Sequence, residues 1–151
     1  YIEGTTDFIF GEASVIFSGC QIHSKSNSYI TAASTPQHIS YGFLFLNCKL
    51  TADFGIDAVY LGRPWRDHAR VVFKNCEMGA HILPEGWSNW SGTERDKTAF
   101  FAEYGNYGPG AATGMRACWS NSLTEKEAEA YSIENVFQSV NKKPWNPVLD
   151  L

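Results

Sequence analysis

The chain has 151 residues, 44% hydrophobic and 15% aromatic, with five Trp and ten Phe; this suffices for one domain burying roughly 70% of its unfolded surface and excludes a disordered segment. A formal charge of −4 without any basic run excludes nucleic acid as partner, since such binding needs clustered Lys and Arg. No stretch approaches the ~20 apolar residues that span a bilayer, so no membrane-spanning segment is expected.

The first element is the stretch "EGTTDFIFGEA", Glu3 to Ala13, in which Asp7 stands between two threonines and the apolar run Phe8-Ile9-Phe10. A carboxylate at the edge of a strand has a plain reading, acceptance of nearby backbone N–H groups, and a chemical one, presentation to a ligand. The local sequence leaves both open.

Three segments follow with a common ruler. Cys20, Cys48 and Cys76 are 28 residues apart each time, and "VIFSGCQIH", "FLFLNCKLT" and "VVFKNCEMG" align Phe17, Phe45 and Phe73 three residues before each Cys. Ile22, Leu50 and Met78 fall two residues after it. A period in this range signals stacked supersecondary units. The segments "DFIFG", "YITAAS" and "AVYLG" supply a second short strand per unit, and no helical pattern of ten residues precedes position 124. The expected fold is all-β: a parallel β-solenoid with like residues stacked about 4.8 Å apart and the three cysteines as an interior ladder of small hydrophobes. Disulfides are not expected, and neither CxxC nor paired histidines at ligand spacing suggest a metal. Cys118 lies outside the register and receives no role.

Between the second and third cysteines runs "YLGRPWRDHAR", Tyr60 to Arg70, where Pro64 fixes the backbone between Arg63 and Trp65. An exposed indole can cover the C–H face of a sugar, and a guanidinium can hold a carboxylate bidentately. The plain alternative is an Arg stacked on a core Trp. In a solenoid Asp7 and Arg63 stand about two coils apart, roughly 10 Å by strand spacing, so the long Arg side chain can reach back.

After Ser122 the pattern changes. Thr124 and Glu127 form a capping-box pair, which predicts a short helix from about Glu125 to Tyr131, a second turn after Ser132, and a role in covering the open end of the solenoid. "KKPWNPVLDL" then reads as an extended tail, its prolines excluding helix. The boundaries are coils over 1–122 and a cap with tail over 123–151.

"GTTDFIFGEA" together with "YLGRPWR" closely resembles the pectin methylesterases (pectinesterases), carbohydrate esterases with a right-handed parallel β-helix. "EMGAHILPEGWSNW", "AFFAEYGNYGPGA" and "YSIENVF" extend the likeness over nearly the whole chain, particularly to bacterial-type members. The resemblance implies that Asp7 is the nucleophile on the C6 methyl ester of a galacturonate unit and that methanol is released. Arg63 would hydrogen-bond Asp7 and keep it ionised and aimed, Trp65 would stack on substrate, and Phe10 would line the cleft. It also implies pectin as partner, no cofactor or metal, a monomer, and a secreted location, extracellular or periplasmic. The family's second aspartate, its acid/base, and its oxyanion glutamines belong to coils before the nucleophile strand. This chain opens on "YIEG", so it is expected to be the C-terminal portion of a longer enzyme, inactive alone.

Other chemistries fit less well. A serine hydrolase would want a G-x-S-x-G elbow, which is missing, and His23, His38, His68 and His81 lack metal spacing. A pectin lyase or glycoside hydrolase would need clustered acids, whereas Asp53, Asp57 and Asp67 are scattered. A catalytically silent polysaccharide-binding β-helix is the other alternative. The sequon at Asn89 is a triplet common by chance and carries no weight.

Overall fold

The computed structural model describes residues 1–140, without the side chains of Thr113, Ser139 and Val140. The expected extended tail, residues 142–151, lies outside the described residues. Short strands β1 (Ile2–Gly4), β2 (Ile9–Gly11), β3 (Val15–Ser18), β4 (Gln21–Ser24), β5 (Tyr29–Ala33), β6 (Phe43–Leu46), β7 (Lys49–Ala52), β8 (Tyr60–Gly62), β9 (Arg70–Lys74), β10 (Glu77–Met78), β11 (Phe100–Tyr104) and β12 (Asn121–Ser122) wind into a parallel β-helix. Three sheets form its walls, in the orders β1-β4-β7-β10, β2-β5-β8 and β3-β6-β9-β11-β12. Every ladder is parallel, as the repeat requires.

Alternation along each strand explains the packing. In β6, Phe43 and Phe45 point into the solenoid with Val71, Phe73 and Phe101, while Leu44 joins Val72 and Ala102 on the outer face. Phe17 stacks on Phe45 and Phe45 on Phe73, with ring centroids 4.6 and 4.2 Å apart. The expected cysteine ladder is present, with Cys48 and Cys76 buried, Cys20 half-buried and all of them free thiols. The two buried thiols reach the preceding coil, Cys48 donating to the Phe17 carbonyl at 3.2 Å and Cys76 to that of Phe45 at 3.6 Å. The Cys48 thiol beside it and burial push the Cys76 thiol well up from its ordinary range.

A sharp corner precedes each rung. Gly19, Asn47, Asn75 and Gly105 all take positive φ, between 52° and 64°, a left-handed conformation that Gly adopts freely and Asn tolerates better than other residues. Gly105 marks a coil that the 28-residue ruler missed. There Asn106 takes the place of the cysteine, accepting from the Cys76 N–H at 2.9 Å, and Glu103 pairs in register with Phe73.

The helical segment differs in extent and place from expectation. The capping box is present, Thr124 Oγ1 accepting from the Glu127 N–H at 3.3 Å and Glu127 Oε2 from the Thr124 N–H at 2.8 Å. The helix α1 stops at Ala128 (Glu125–Ala128), and α2 (Ile133–Val140) follows. Val136 packs on Leu44, Val72 and Ala102, and Lys74 Nζ donates to the Ala128 and Tyr131 carbonyls. The segment therefore seals the outer flank of the third sheet, whose apolar stripe would otherwise face water. Among the described residues no helix is long and apolar enough to cross a membrane.

Candidate active site

Asp7 enters β2 through a turn with φ of 50°, a left-handed conformation that Asp tolerates and most side chains do not. Its N–H donates to the Tyr29 carbonyl at 2.8 Å, fixing it in the row above the second coil. Arg63 follows β8 directly, with its N–H on the Thr31 carbonyl at 3.0 Å. Gly62 before it is required by close approach: a Cβ there would collide with the Thr31 hydroxyl, which donates to the Leu61 carbonyl at 2.9 Å.

The two side chains meet across the middle coil in a bidentate fork. Arg63 Nε donates to Asp7 Oδ1 at 3.1 Å and Nη2 to Oδ2 at 2.6 Å. Hydrogen bonding to Asp7 raises the guanidinium further above its already high range. Each carboxylate oxygen has a second lone pair beyond the one the fork uses, and the Asp7 side chain is 21% exposed, so the group is held yet open to solvent.

Aromatic rings surround the fork. The guanidinium carbon of Arg63 is 4.0 Å from the Tyr29 centroid and 4.0 Å from that of Trp90. Both rings therefore lie against the Arg63 guanidinium. Trp65 meets the edge of Phe10 with centroids 5.9 Å apart, and Phe10 is 65% exposed. The four residues singled out from sequence thus gather in one place: Asp7 and Arg63 in direct contact, Trp65 and Phe10 as an adjoining apolar wall.

Tyr29 and Trp90 were missed. Tyr29 stands in the "YITAAS" strand that supplied only architecture, and Trp90 lies in a loop with no repeat register, within the "EGWSNW" motif. That loop replaces a strand of the second sheet in the fourth coil, keeping single bridges from Val59 to Ile82 and from Gly62 to Trp87. It also holds the Arg-Pro-Trp turn. Arg95 Nη1 donates to the Pro64 carbonyl at 3.2 Å and Nε to Asp67 at 3.4 Å, while the Thr98 hydroxyl donates to the Asp67 carbonyl. The Asn89 amide is consumed in the same loop, donating to the Thr93 carbonyl and to Asp96, both at 2.9 Å.

Among the described residues, no group of three or more His, Cys, Asp or Glu is arranged to hold a metal ion. What the site offers is an anchored anion beside a flat apolar wall. A carboxylate fixed this way can attack an electrophilic carbon or bind a cationic group.

Comparison with known proteins identifies the family. Residues 1–140 match the family described as Pectinesterase. Pectinesterase 31 of Arabidopsis thaliana is 38% identical over 146 residues, covering 96% of this chain and 46% of its own length. The pectin methylesterase of carrot superposes with a TM-score of 0.85 at 30% identity, over 92% of this chain and 48% of that one. The Aspergillus niger pectin methylesterase does so with a TM-score of 0.73 at 38% identity, over 82% and 41%. This chain spans less than half the length of each of these three relatives. Pectinesterase 31 and the carrot and Aspergillus niger enzymes are plant and fungal proteins, so the likeness to bacterial-type members expected from sequence gains no support from them. With the family match running along 140 residues and a relative 38% identical over 96% of the chain, the chain belongs to the pectinesterase family.

Proposed function

We propose that the chain is the C-terminal part of a single β-helix catalytic domain that removes methyl esters from the galacturonate units of pectin. In this reading Asp7 is the nucleophile. One of its oxygens attacks the C6 carbonyl, the C–O bond to the methoxy group breaks with transfer of a proton to methoxide, and methanol leaves. Water then hydrolyses the resulting anhydride and restores the carboxylate. Arg63 fixes the direction of attack, because two parallel hydrogen bonds leave the carboxylate no freedom to rotate. Trp65 stacks on the substrate and Phe10 extends the wall along it.

The observation that carries this reading is the fork itself: a partly exposed carboxylate held at both oxygens beside a flat apolar wall. Family membership supports the substrate. The proton donor and the oxyanion donors would come from coils that continue the sheets beyond β1, β2 and β3, the terminal strands on that side. The protein would act as a monomer outside the cell, extracellular or periplasmic, where its polymer substrate occurs.

The test is methanol release from methylated pectin by the chain alone and joined to the preceding coils. The joined protein should be active, and the chain alone should lie near background, since acid/base and oxyanion assistance contribute about 10² or more each. Pectin binding without methanol release by the joined protein would favour a silent polysaccharide-binding β-helix.

A further inference from the structure

At the far end of the solenoid from Asp7, Glu103 and Arg116 form an ion pair with side chains only 4% and 5% exposed. Arg116 Nε donates to Glu103 Oε1 at 2.7 Å and Nη2 to Oε2 at 3.2 Å. Three further guanidinium bonds go to backbone, Nη1 to the Leu83 and Pro84 carbonyls at 3.1 and 3.0 Å and Nη2 to the Gly110 carbonyl at 2.7 Å, and Nη2 also meets Met78 Sδ at 3.7 Å. These contacts engage all five donors an arginine possesses. Glu103 is equally engaged, accepting from Trp87 Nε1 at 3.1 Å and from Asn106 Nδ2 at 3.2 Å.

Such a pair is a poor way to gain stability, because the cost of desolvating two charges commonly matches or exceeds their attraction, and apolar residues of the same volume often do better. It is a good way to fix geometry. Three of its partners, the Leu83 and Pro84 carbonyls and the Trp87 indole, lie on the loop that carries Trp90. Gly86 packs so tightly on Arg116 that a Cβ would strike its side chain, and Ala117 donates to the Glu85 carbonyl at 2.9 Å. From the other side the Ser88 N–H donates to the Gly62 carbonyl at 3.1 Å, one residue before Arg63. The loop is therefore pinned at both margins, and Trp90 emerges from it onto the Arg63 guanidinium.

We propose that Glu103 and Arg116 are positioning residues for the Asp7–Arg63 fork, acting through the 83–90 loop and the Trp90 ring. The pair touches neither substrate nor reacting atoms. It sets the height of Trp90 over Arg63, and so how tightly the guanidinium is clamped against Tyr29. The catalytic part rests on the esterase reading above; the geometric part does not.

Two variants test it, Glu103→Gln, which keeps shape but removes the charge, and Arg116→Lys, which keeps the charge but cannot reach Glu103 and three carbonyls together. The first readout is proton exchange with water at Arg63 Nε, followed by 15N NMR. A loosened fork should speed it about tenfold or more in both variants. The second, in the joined protein, is methanol release, where kcat should fall roughly ten- to a hundredfold with KM within about twofold, because small misplacements of catalytic groups act on turnover. Unchanged exchange at Arg63 Nε in folded Glu103→Gln would overturn the proposal. Collapse of the sheets in both variants would also overturn it, making the pair a determinant of the fold and not of aim. Failure of the wild-type joined protein to release methanol would defeat the esterase reading alone, since the exchange measurement requires no turnover.

Discussion

Asp7 and Arg63 are 56 residues apart in sequence and share two hydrogen bonds, of 3.1 and 2.6 Å, across an intervening coil. Asp7→Asn should keep the fold, because Asn is as much at home as Asp in the left-handed conformation, while removing the nucleophilic charge. Methanol release by the joined protein should drop at least about a hundredfold while the circular dichroism spectrum stays that of the native fold. Retention of a tenth of the activity would remove Asp7 from that role.

Arg63→Lys leaves one point charge where a planar fork lies against Tyr29 and Trp90. An ammonium cannot bond both Asp7 oxygens in plane or stack on two rings in the same way. The expected loss in kcat/KM is about a hundredfold, well beyond what removal of an exposed ion pair produces elsewhere. Near-native kinetics for this variant would show that charge alone suffices.

Trp65→Ala removes the surface next to Phe10 without touching the fork, so KM should rise and kcat fall together on polymeric substrate. Trp90→Ala acts through Arg63 and should lower kcat with little change in KM. Measuring both constants for both variants separates a wall that binds from a clamp that aims, and identical patterns would contradict the distinction.

His81 is buried, its Nε2 has no hydrogen-bond partner among the described residues, and burial first, then the nearby His23, lowers its pKa from 6.5 to about 4. Above pH 6.5 the imidazole is neutral in folded and unfolded chains alike. As pH falls from 6.5 towards 4 the unfolded chain takes up a proton that the folded one refuses, so stability declines through that window and levels off below it. The ceiling on this loss is about 3 kcal/mol. Urea midpoints of wild type and His81→Gln at pH 7 and 4.5 isolate the contribution, the variant losing less between the two pH values. An equal loss would assign the acid sensitivity to other groups.

Asn47 is exposed and holds φ at 52° at the corner before Cys48. Asn47→Ala should cost about 1 kcal/mol, and Asn47→Gly close to nothing, because only the latter relieves the Cβ conflict. Equal denaturant midpoints for the two would show that the corner is not the constraint.

The winding was legible because Phe17, Phe45 and Phe73 and the three cysteines recur without insertion, and stacked coils demand like residues at like places. The fourth coil was not. There Glu103 replaces the phenylalanine and Asn106 the cysteine, and the rungs are 30 residues apart, so the apolar signature is gone although the corner at Gly105 persists. Asp7 and Arg63 could be found because each sits in a compact local motif. Tyr29 and Trp90 could not, since what makes them part of the site is where other coils put Arg63, a relation no local window contains. The place of α2 was hidden for the same reason: its apolar face was visible, but whether it meets the end or the flank depends on the outward row of Leu44, Val72 and Ala102.

In a solenoid each coil touches only its immediate neighbours, so stacking can open between two layers while the rest stays docked. Asp7 belongs to the first complete coil, Tyr29 to the second and Arg63 to the third, matching the order β2-β5-β8. The fork therefore ties the first coil to the third directly, skipping a layer that otherwise carries all communication between them. Detachment of the first coil must break two charge-assisted hydrogen bonds in addition to its own ladder. Fraying and chemistry are then linked: a ligand that requires the intact fork selects molecules in which three consecutive layers are docked, and its binding should protect the β2 amides from hydrogen exchange more than those of β9.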